Sequence, residues 1–255
     1  MKKIAVLNNK GGVGKSTISV QLSHGLAKLG FSVLLLDLDG QNDSSLFLGF
    51  SEDSYEKSFY DLLDRRNPTI IYDCILKARD NLDLLPSSHI EEINAEFHRA
   101  SRIDLLLKEY LKDLEALSYD YLIIDCGPQR TKINDAVLCY IDNIVMPVQV
   151  EAASVRAVGN IYEYLSNLRL SPELVSLVIP NMYDQRTNDA KENLEFLKEF
   201  YSNQDILTEP IHRRVKITEA GKLGKTVFEY DEESANQFFK VLERLVTTIG
   251  DEQTG

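Results

Sequence analysis

The stretch Asn9-Lys10-Gly11-Gly12-Val13-Gly14-Lys15-Ser16-Thr17 decides the fold of this 255-residue chain. It follows a short apolar run, residues 4–7, and precedes a helical pattern that begins at Ser16. A strand, a glycine loop and a helix in this order form a phosphate-binding loop. The glycines let the backbone approach an oxyanion and take positive φ without a Cβ clash. The N–H groups of the loop and of the helix N-terminus then point at phosphates.

Three side chains of this loop suit a nucleotide. Lys15 supplies a positive charge for the β- and γ-phosphates, Ser16 a hydroxyl for Mg²⁺, and Thr17 one more donor. The usual pattern G-x-x-x-x-G-K-[ST] has a glycine where this chain has Asn9, and a second lysine, Lys10, stands at the start of the loop. A glycine-rich turn without a ligand is the alternative interpretation. The dinucleotide pattern G-x-G-x-x-G fails, because Thr17 replaces its third glycine.

Composition excludes several classes of protein. The net charge of −12 argues against a general polyanion-binding surface, so any contact with nucleic acid needs a local basic patch. Cys74, Cys126 and Cys139 are scattered and form no C-x-x-C, so we expect neither disulfides nor a zinc site. Apolar runs are too short for a signal peptide or for a membrane span of roughly 18 residues. We therefore expect a cytoplasmic protein.

Two further apolar runs end in aspartates. Residues 31–36 lead into Asp37-Leu38-Asp39, and residues 121–124 lead into Asp125. In a parallel sheet, ligand chemistry gathers beyond the carboxyl ends of the strands. Asp39 is therefore a candidate for positioning water or metal, and Asp125 fits a Walker-B carboxylate that reaches the Mg²⁺ shell. Gly127-Pro128 then begins a loop that could sense the γ-phosphate.

Alternating strands and helices predict an α/β fold. We expect a doubly wound, mostly parallel sheet with helices on both faces, forming a single domain over residues 1–255. The later predicted strands are 81–85, 143–150, 174–179 and 205–211. The predicted helices are 16–29, 93–117, 151–168, 191–201 and 234–249, with short helices near 61–63 and 70–72.

Residues 10–17, 34–41 and 120–128 resemble, in order, the three ATP motifs of the ParA/MinD family of P-loop ATPases, whose Walker A motif is deviant. Residues 146–151, 182–188 and 219–225 continue the likeness toward the ParA branch, which partitions plasmids and chromosomes. The likeness covers nearly the whole chain. It implies the P-loop NTPase fold and weak, Mg²⁺-dependent hydrolysis of ATP to ADP and phosphate.

The resemblance assigns roles position by position. Lys10 matches the lysine that reaches across an ATP-dependent homodimer to the nucleotide of the partner. Lys15 and Ser16 match the phosphate lysine and the Mg²⁺ ligand. Asp39 matches the aspartate that orients the attacking water, and Asp125 the Walker-B carboxylate. Physical chemistry supports the dimer independently, since phosphoryl transfer gains from extra positive charge at the γ-phosphate.

The resemblance also implies a set of binding residues. Asn181 lies where the family contacts adenine. The expected nucleotide-binding residues are Gly11, Gly12, Val13, Gly14, Lys15, Ser16, Thr17 and Asn181. The expected DNA-binding residues are Arg186, Arg213, Arg214 and Lys216. The implied partners are a ParB-like centromere-binding protein and non-specific DNA, which would place the protein on the nucleoid.

Other functions remain to be weighed. Gly40 and Gly127 replace prolines that are frequent in the family, which leaves the hydrolysis rate open. The acidic tail, residues 250–255, disfavours a MinD-like membrane positioner, and the positions of Cys126 and Cys139 disfavour an iron–sulfur reductase. A ParA-like ATPase that positions another cargo stays open. Because the chain begins at the first strand, we expect no N-terminal helix-turn-helix extension.

Overall fold

Seven strands form one sheet in the computed structural model, which describes residues 1–64 and 66–250. The strands are β1 Lys2–Val6, β2 Val33–Leu38, β3 Leu76–Arg79, β4 Leu82–Leu85, β5 Tyr121–Cys126, β6 Asn143–Gln149 and β7 Val175–Asn181. Their order is β3-β4-β2-β5-β1-β6-β7. Only the β3–β4 pair in this sheet is antiparallel, and the remaining neighbours pair in parallel. The predicted α/β, mostly parallel sheet is confirmed.

Helices cover both faces of the sheet. They are α1 Lys15–Lys28, α2 Asp43–Phe47, α3 Ile90–Arg99, α4 Ile103–Tyr110, α5 Lys132–Tyr140, α6 Ala152–Arg156, α7 Gly159–Asn167, α8 Asn188–Phe200, α9 Val215–Lys222 and α10 Glu232–Gly250. Short 3₁₀ helices occupy Glu52–Ser54, Phe59–Leu63, Ile71–Cys74, Lys112–Leu117, Pro172–Leu174 and Val227–Glu229. The predicted short helices of residues 51–80 are therefore 3₁₀ turns.

Alternate residues of each central strand enter opposite cores. In β1, Ile4 and Val6 join the core beneath α1 and α10, whereas Ala5 joins the core beneath α4, α5 and α7. This division follows from the two-residue period of a strand. It explains why the central strands are apolar without interruption, because a parallel sheet is buried on both faces.

The predicted long helix over residues 93–117 is wrong. The chain leaves helical geometry at Ala100, whose ψ is 132°, and resumes it at Ile103. A continuous helix with buried Ile93 and Phe97 would carry the same apolar stripe through position 104, which is an aspartate. The break leaves Asp104 exposed and paired with Arg102.

Two more predicted elements differ from the structure. The predicted helix 151–168 is divided between α6 and α7. The predicted strand 205–211 is not a regular strand, although it runs beside β7 through bonds such as Val178 N–H to the Ile206 carbonyl, 2.7 Å. Pro210 has no N–H with which to continue this ladder.

Two sequence-based expectations concern the ends and the membrane. The acidic residues 251–255, which contributed to the argument against a membrane-binding tail, lie outside the described residues. Among residues 1–64 and 66–250, no helix has both the length and the apolar character that a membrane span requires.

A glycine brings α1 and α10 into close contact. Gly25 of α1 faces Leu242 of α10 and the ring of Phe228, and a Cβ at Gly25 would lie 2.2 Å from Leu242 Cδ1 and 2.9 Å from Phe228 Cζ. Position 25 therefore has no room for a side chain, although glycine is a poor helix former.

Gly25→Ala should lower the free energy of unfolding by about 1–2 kcal/mol, because overpacking a core costs more than the alanine gains in helix propensity. Urea denaturation measures the change. Gly159→Ala is the matched control, since among the described residues no atom beyond its chain neighbours and the nearby backbone of its own helix lies within 4 Å of a Cβ there, and it should be neutral or stabilising. Equal stabilisation by both substitutions would contradict the close-packing argument.

Candidate nucleotide-binding site

The glycine loop leaves the sheet at its centre. Because β1 lies between β5 and β6, the loop begins where three parallel strands end. Asn8 fixes its first turn: its Nδ2 donates to the Pro147 carbonyl of β6 at 2.8 Å, and its Oδ1 accepts the Lys10 N–H at 2.9 Å. Sequence reasoning assigned Asn8 no role, although an asparagine at a strand end is a common turn residue.

The loop glycines have the conformations that an anion cradle requires. Gly12 and Gly14 have φ values of 75° and 92°, in the left-handed region that favours glycine. No described atom lies within 4 Å of a Cβ built at Gly11 or Gly12, so the space above the loop is open. At Gly14 a Cβ would lie 2.4 Å from Asn181 Nδ2. A side chain at Gly14 would therefore displace Asn181.

The first residues of α1 face the same space. Gly14 is the N-cap and provides no side-chain cap, which leaves the helix N–H groups available to an anion. Lys15 is almost fully buried, and its Nζ donates to the Lys10 carbonyl at 3.2 Å. Burial lowers the pKa of Lys15, and the nearby Asp125 and Asp39 carboxylates oppose that shift. Lys15 thus places one ammonium group against the loop.

Two buried carboxylates lie side by side below the loop. Asp37 of β2 and Asp125 of β5 are register partners on neighbouring strands, and neither is accessible to solvent. Burial raises the pKa of Asp37, and the Asp125 charge raises it further. Burial also raises the pKa of Asp125, while hydroxyl donors, chiefly that of Ser44, act in the opposite direction. The site therefore concentrates acidic groups where a divalent cation would offset their charge.

Asp39 lies on the loop that follows β2. Its Oδ1 accepts the Gln41 N–H at 3.2 Å, and a Cβ at Gly127 would lie 3.6 Å from the same oxygen. The loops after β2 and β5 therefore meet at the Asp39 carboxylate. The structure brings Lys15, Asp39 and Asp125 close together, and their roles stay predictions.

The residues present fit ATP and Mg²⁺. The open space above the glycines suits phosphate oxygens, which small backbone N–H groups can then contact. Ser16 and Asp125 offer hydroxyl and carboxylate oxygens, the hard ligands that Mg²⁺ prefers. The nearby Ser16 side chain also acts to lower the pKa of the Asp125 carboxyl, against the effect of burial. Of the other predicted nucleotide-binding residues in the loop, Val13 is buried and Thr17 is half-buried.

Lys10 turns away from Lys15. Its Nζ lies 2.5 Å from Glu151 Oε1 and 2.7 Å from Ser154 Oγ, both in or next to α6. Gln149 donates to the other Glu151 oxygen at 2.9 Å. Sequence reasoning missed Glu151 and Ser154 as contacts of Lys10. The available signal was an acidic residue directly after an apolar strand at the same edge of the sheet.

Asn181 holds the glycine loop from the side of β7. Its Nδ2 donates to the Val13 carbonyl at 2.8 Å, and its Oδ1 accepts the Met182 N–H at 2.9 Å. The side chain is buried. Asn181 thus lies at the loop as expected, and its contact with adenine stays a prediction.

Three of the four predicted DNA-binding residues line one cleft of about 700 Å³. The Arg186 guanidinium makes two hydrogen bonds to Asp184, at 2.8 and 2.7 Å. Arg214 pairs with Glu233, and Asp231 lies 3.7 Å away. The third residue, Arg213, is exposed, and within the described residues its side chain has no ion pair.

Lys216 lies on α9 rather than in the cleft. It pairs with Glu219 at 2.9 Å and lies over the Tyr230 ring, 5.3 Å from the centroid. The predicted basic patch is therefore mixed in charge, because most of its cations already have carboxylate partners.

Comparisons with known proteins show the family to which the chain belongs. Residues 1–175 match a family model described as an AAA domain. The chain is 33% identical over 243 residues to the sporulation initiation inhibitor protein Soj of Bacillus subtilis, covering 91% of this chain and 92% of Soj. It is 26% identical to the chromosome partitioning protein ParA of Caulobacter vibrioides, covering 99% and 97%.

A solved structure shares the fold. The ATP complex of a single-residue variant of Cyanothece McdA superposes with a TM-score of 0.83 at 22% identity, covering 100% of this chain and 98% of McdA. This superposition shows a shared fold, while the family match and the Soj similarity support ATP and Mg²⁺ as the ligands of the site. The chain belongs to the ParA/MinD family of P-loop ATPases.

Proposed function

We propose that this protein is a partition ATPase that works as a nucleotide-driven switch. ATP and Mg²⁺ join two copies into a sandwich dimer, and the dimer binds DNA without sequence preference. A ParB-like centromere-binding partner stimulates a weak ATPase and so releases the DNA. The observation that carries the proposal is Lys10, which begins the glycine loop but directs its amino group to Glu151 instead of to its own loop.

Each residue of the site has a role in this proposal. Lys15 and the loop N–H groups hold the phosphates, and Ser16 with Asp125 holds Mg²⁺, which offsets the phosphate charge. Asp39 orients the attacking water from the loop after β2. A buried site of this kind makes each charge count for more than it would in water.

The Lys10 side chain can leave Glu151 for the nucleotide of a partner copy at a small cost in free energy. Its ion pair with Glu151 is partly exposed, with side-chain exposures of 31% and 41%. Such pairs contribute about 0–1 kcal/mol. A positive charge at the γ-phosphate during phosphoryl transfer is worth several times more. Transfer of Lys10 from Glu151 to the nucleotide of a partner copy is therefore favourable once ATP is present.

Lys10→Ala should sediment as a monomer with ATP and Mg²⁺ and should hydrolyse ATP about 10³-fold more slowly, the lower end for a charge supplied in trans. Analytical ultracentrifugation and phosphate release measure the two effects. Lys28→Ala, which removes an exposed lysine at the far end of α1, is the control. A Lys10→Ala protein that dimerises and hydrolyses ATP normally would rule out the sandwich.

Arg213 is the first candidate for contact with DNA, since it is exposed and has no ion pair in the described part of the chain. Arg213→Ala should weaken ATP-dependent DNA binding equally for all sequences and reduce the salt slope by about 0.9 per site. Fluorescence anisotropy across a salt series measures both quantities.

Arg214→Ala is the matched control for this test. Because Arg214 is paired with Glu233, its loss should reduce stability more than it changes the salt slope. ATP-dependent DNA binding that survives the Arg213→Ala/Arg214→Ala double substitution would contradict this surface.

The cargo distinguishes partition from the alternative of positioning another assembly. A partition protein should be required for plasmid or chromosome inheritance and should lie over the nucleoid. Normal inheritance in a deletion strain, with displacement of some other assembly, would favour the alternative. The residues of the nucleotide site are the same in both cases.

A further inference from the structure

Two adjacent serines of α2 contact two adjacent buried carboxylates. The Ser44 hydroxyl donates to Asp125 Oδ2 at 2.7 Å, and the Ser45 hydroxyl donates to Asp37 Oδ2 at 2.8 Å. Both serines are at most 1% exposed. The Ser45 N–H also donates to Asp37, at 2.9 Å. Ser44 has so far appeared only as a donor that acts on the pKa of Asp125, and neither serine has a role in holding the nucleotide or Mg²⁺.

The two oxygens of Asp125 are fixed from different helices. Ser19 of α1 donates to Oδ1 at 2.9 Å, whereas Ser44 of α2 donates to Oδ2. The Ser44 oxygen also lies 3.5 Å from the Ser16 carbonyl. One carboxylate therefore joins the helix of the phosphate loop to α2.

The contact between Ser44 and Asp125 also affects Asp39, because α2 follows directly after the loop that carries Asp39. The helix begins four residues after Asp39, and the turn between them is closed by the Asn42 N–H, which donates to the Asp39 carbonyl at 3.0 Å. A movement of Ser44 would therefore move the loop that carries Asp39. Ser44 is placed to set the orientation of Asp125 and the position of Asp39 together.

We infer that Ser44 is a positioning residue for the Mg²⁺ site, because its hydroxyl fixes the Asp125 carboxylate and fastens the Asp39 loop to it. The inference rests on the proposed role of Asp125 in the Mg²⁺ shell. A hydroxyl has one proton to donate, and at 2.7 Å that proton is committed to Asp125. Removing it leaves Oδ2 without the donor that holds its direction.

The test is the Mg²⁺ dependence of nucleotide affinity at equilibrium. Binding of a fluorescent ATP analogue is titrated with MgCl₂ for the wild type, Ser44→Ala and Ser45→Ala. Outer-shell partners of metal ligands are worth about 10–100-fold in metal affinity, so Ser44→Ala should raise the half-saturating Mg²⁺ concentration about tenfold. Affinity without Mg²⁺ should not change.

Ser45→Ala is the matched control. It removes a hydroxyl from the same helix at the same burial, but it leaves Asp125 untouched and keeps the backbone bond to Asp37. The half-saturating Mg²⁺ concentration should change less than about twofold from the wild type, well below the range for a lost metal-shell partner. An equal increase for both variants would show that α2 acts only as structure and would overturn the inference.

Asp125→Asn distinguishes the inferred role of Ser44 from the proposed role of Asp125 on which it rests. A raised Mg²⁺ requirement in Asp125→Asn, with a normal one in Ser44→Ala, would overturn the inference and leave the role of Asp125 intact. A normal requirement in both would overturn the role of Asp125 as well. If Ser44→Ala fails to fold in a thermal unfolding assay, Ser44→Cys serves instead, because a thiol has similar volume but donates weakly and should also raise the requirement.

Discussion

Burial of two carboxylates at the centre of the sheet is the constraint on which the nucleotide site depends. Asp37 and Asp125 are register partners with no solvent access, and buried charge is costly unless it is paired and hydrogen-bonded. Groups on two helices, α1 and α2, offset this cost. Lys15 brings a positive charge from α1, Ser19 donates from the same helix, and α2 contributes two further hydroxyls. The helices that hold the phosphate loop and the Asp39 loop are thus fixed by the same pair of acids.

The two lysines of the loop differ in burial, and therefore in the free-energy cost of moving their side chains. Lys15 is buried among groups that cannot move without exposing charge, so it belongs to the fixed part of the site. Lys10 is partly exposed, and its ion pair with Glu151 contributes little free energy because water can solvate both groups. A switch needs both kinds of group. In the proposed switch, the buried acids and Lys15 would define where the nucleotide lies, while Lys10 would be the charge that changes its partner when the nucleotide binds.

The sequence predicted those parts of the fold that depend on patterns among neighbouring residues. β1, the glycine loop and α1 follow from an apolar run, positive-φ glycines and a helical period, and the strands before Asp37 and Asp125 follow from unbroken apolar runs. The contacts between distant residues were not predictable in this way. Glu151 lies 141 positions from Lys10, and the carboxylates that pair with Arg214 belong to the start of α10 or the residue before it. A run of basic residues therefore indicated a cationic surface, although its partners could be known only from the fold.

Arg186 and Arg214 are already paired with carboxylates, and this pairing limits how strongly an acidic protein could bind DNA. A chain of net charge −12 repels a polyanion at long range, and each arginine already bound to a carboxylate must exchange one anion for another. The gain per cation is then small, and a single subunit would bind weakly, because among the described residues only two cations of the cleft, Arg213 and Lys240, have no ion pair. In the proposed dimer, two such clefts would bind DNA together, because attachment of the first would raise the effective concentration of the second. Weak binding by each cleft would then make DNA binding depend on the dimer, and through it on ATP, since a strongly basic cleft would hold DNA in every nucleotide state.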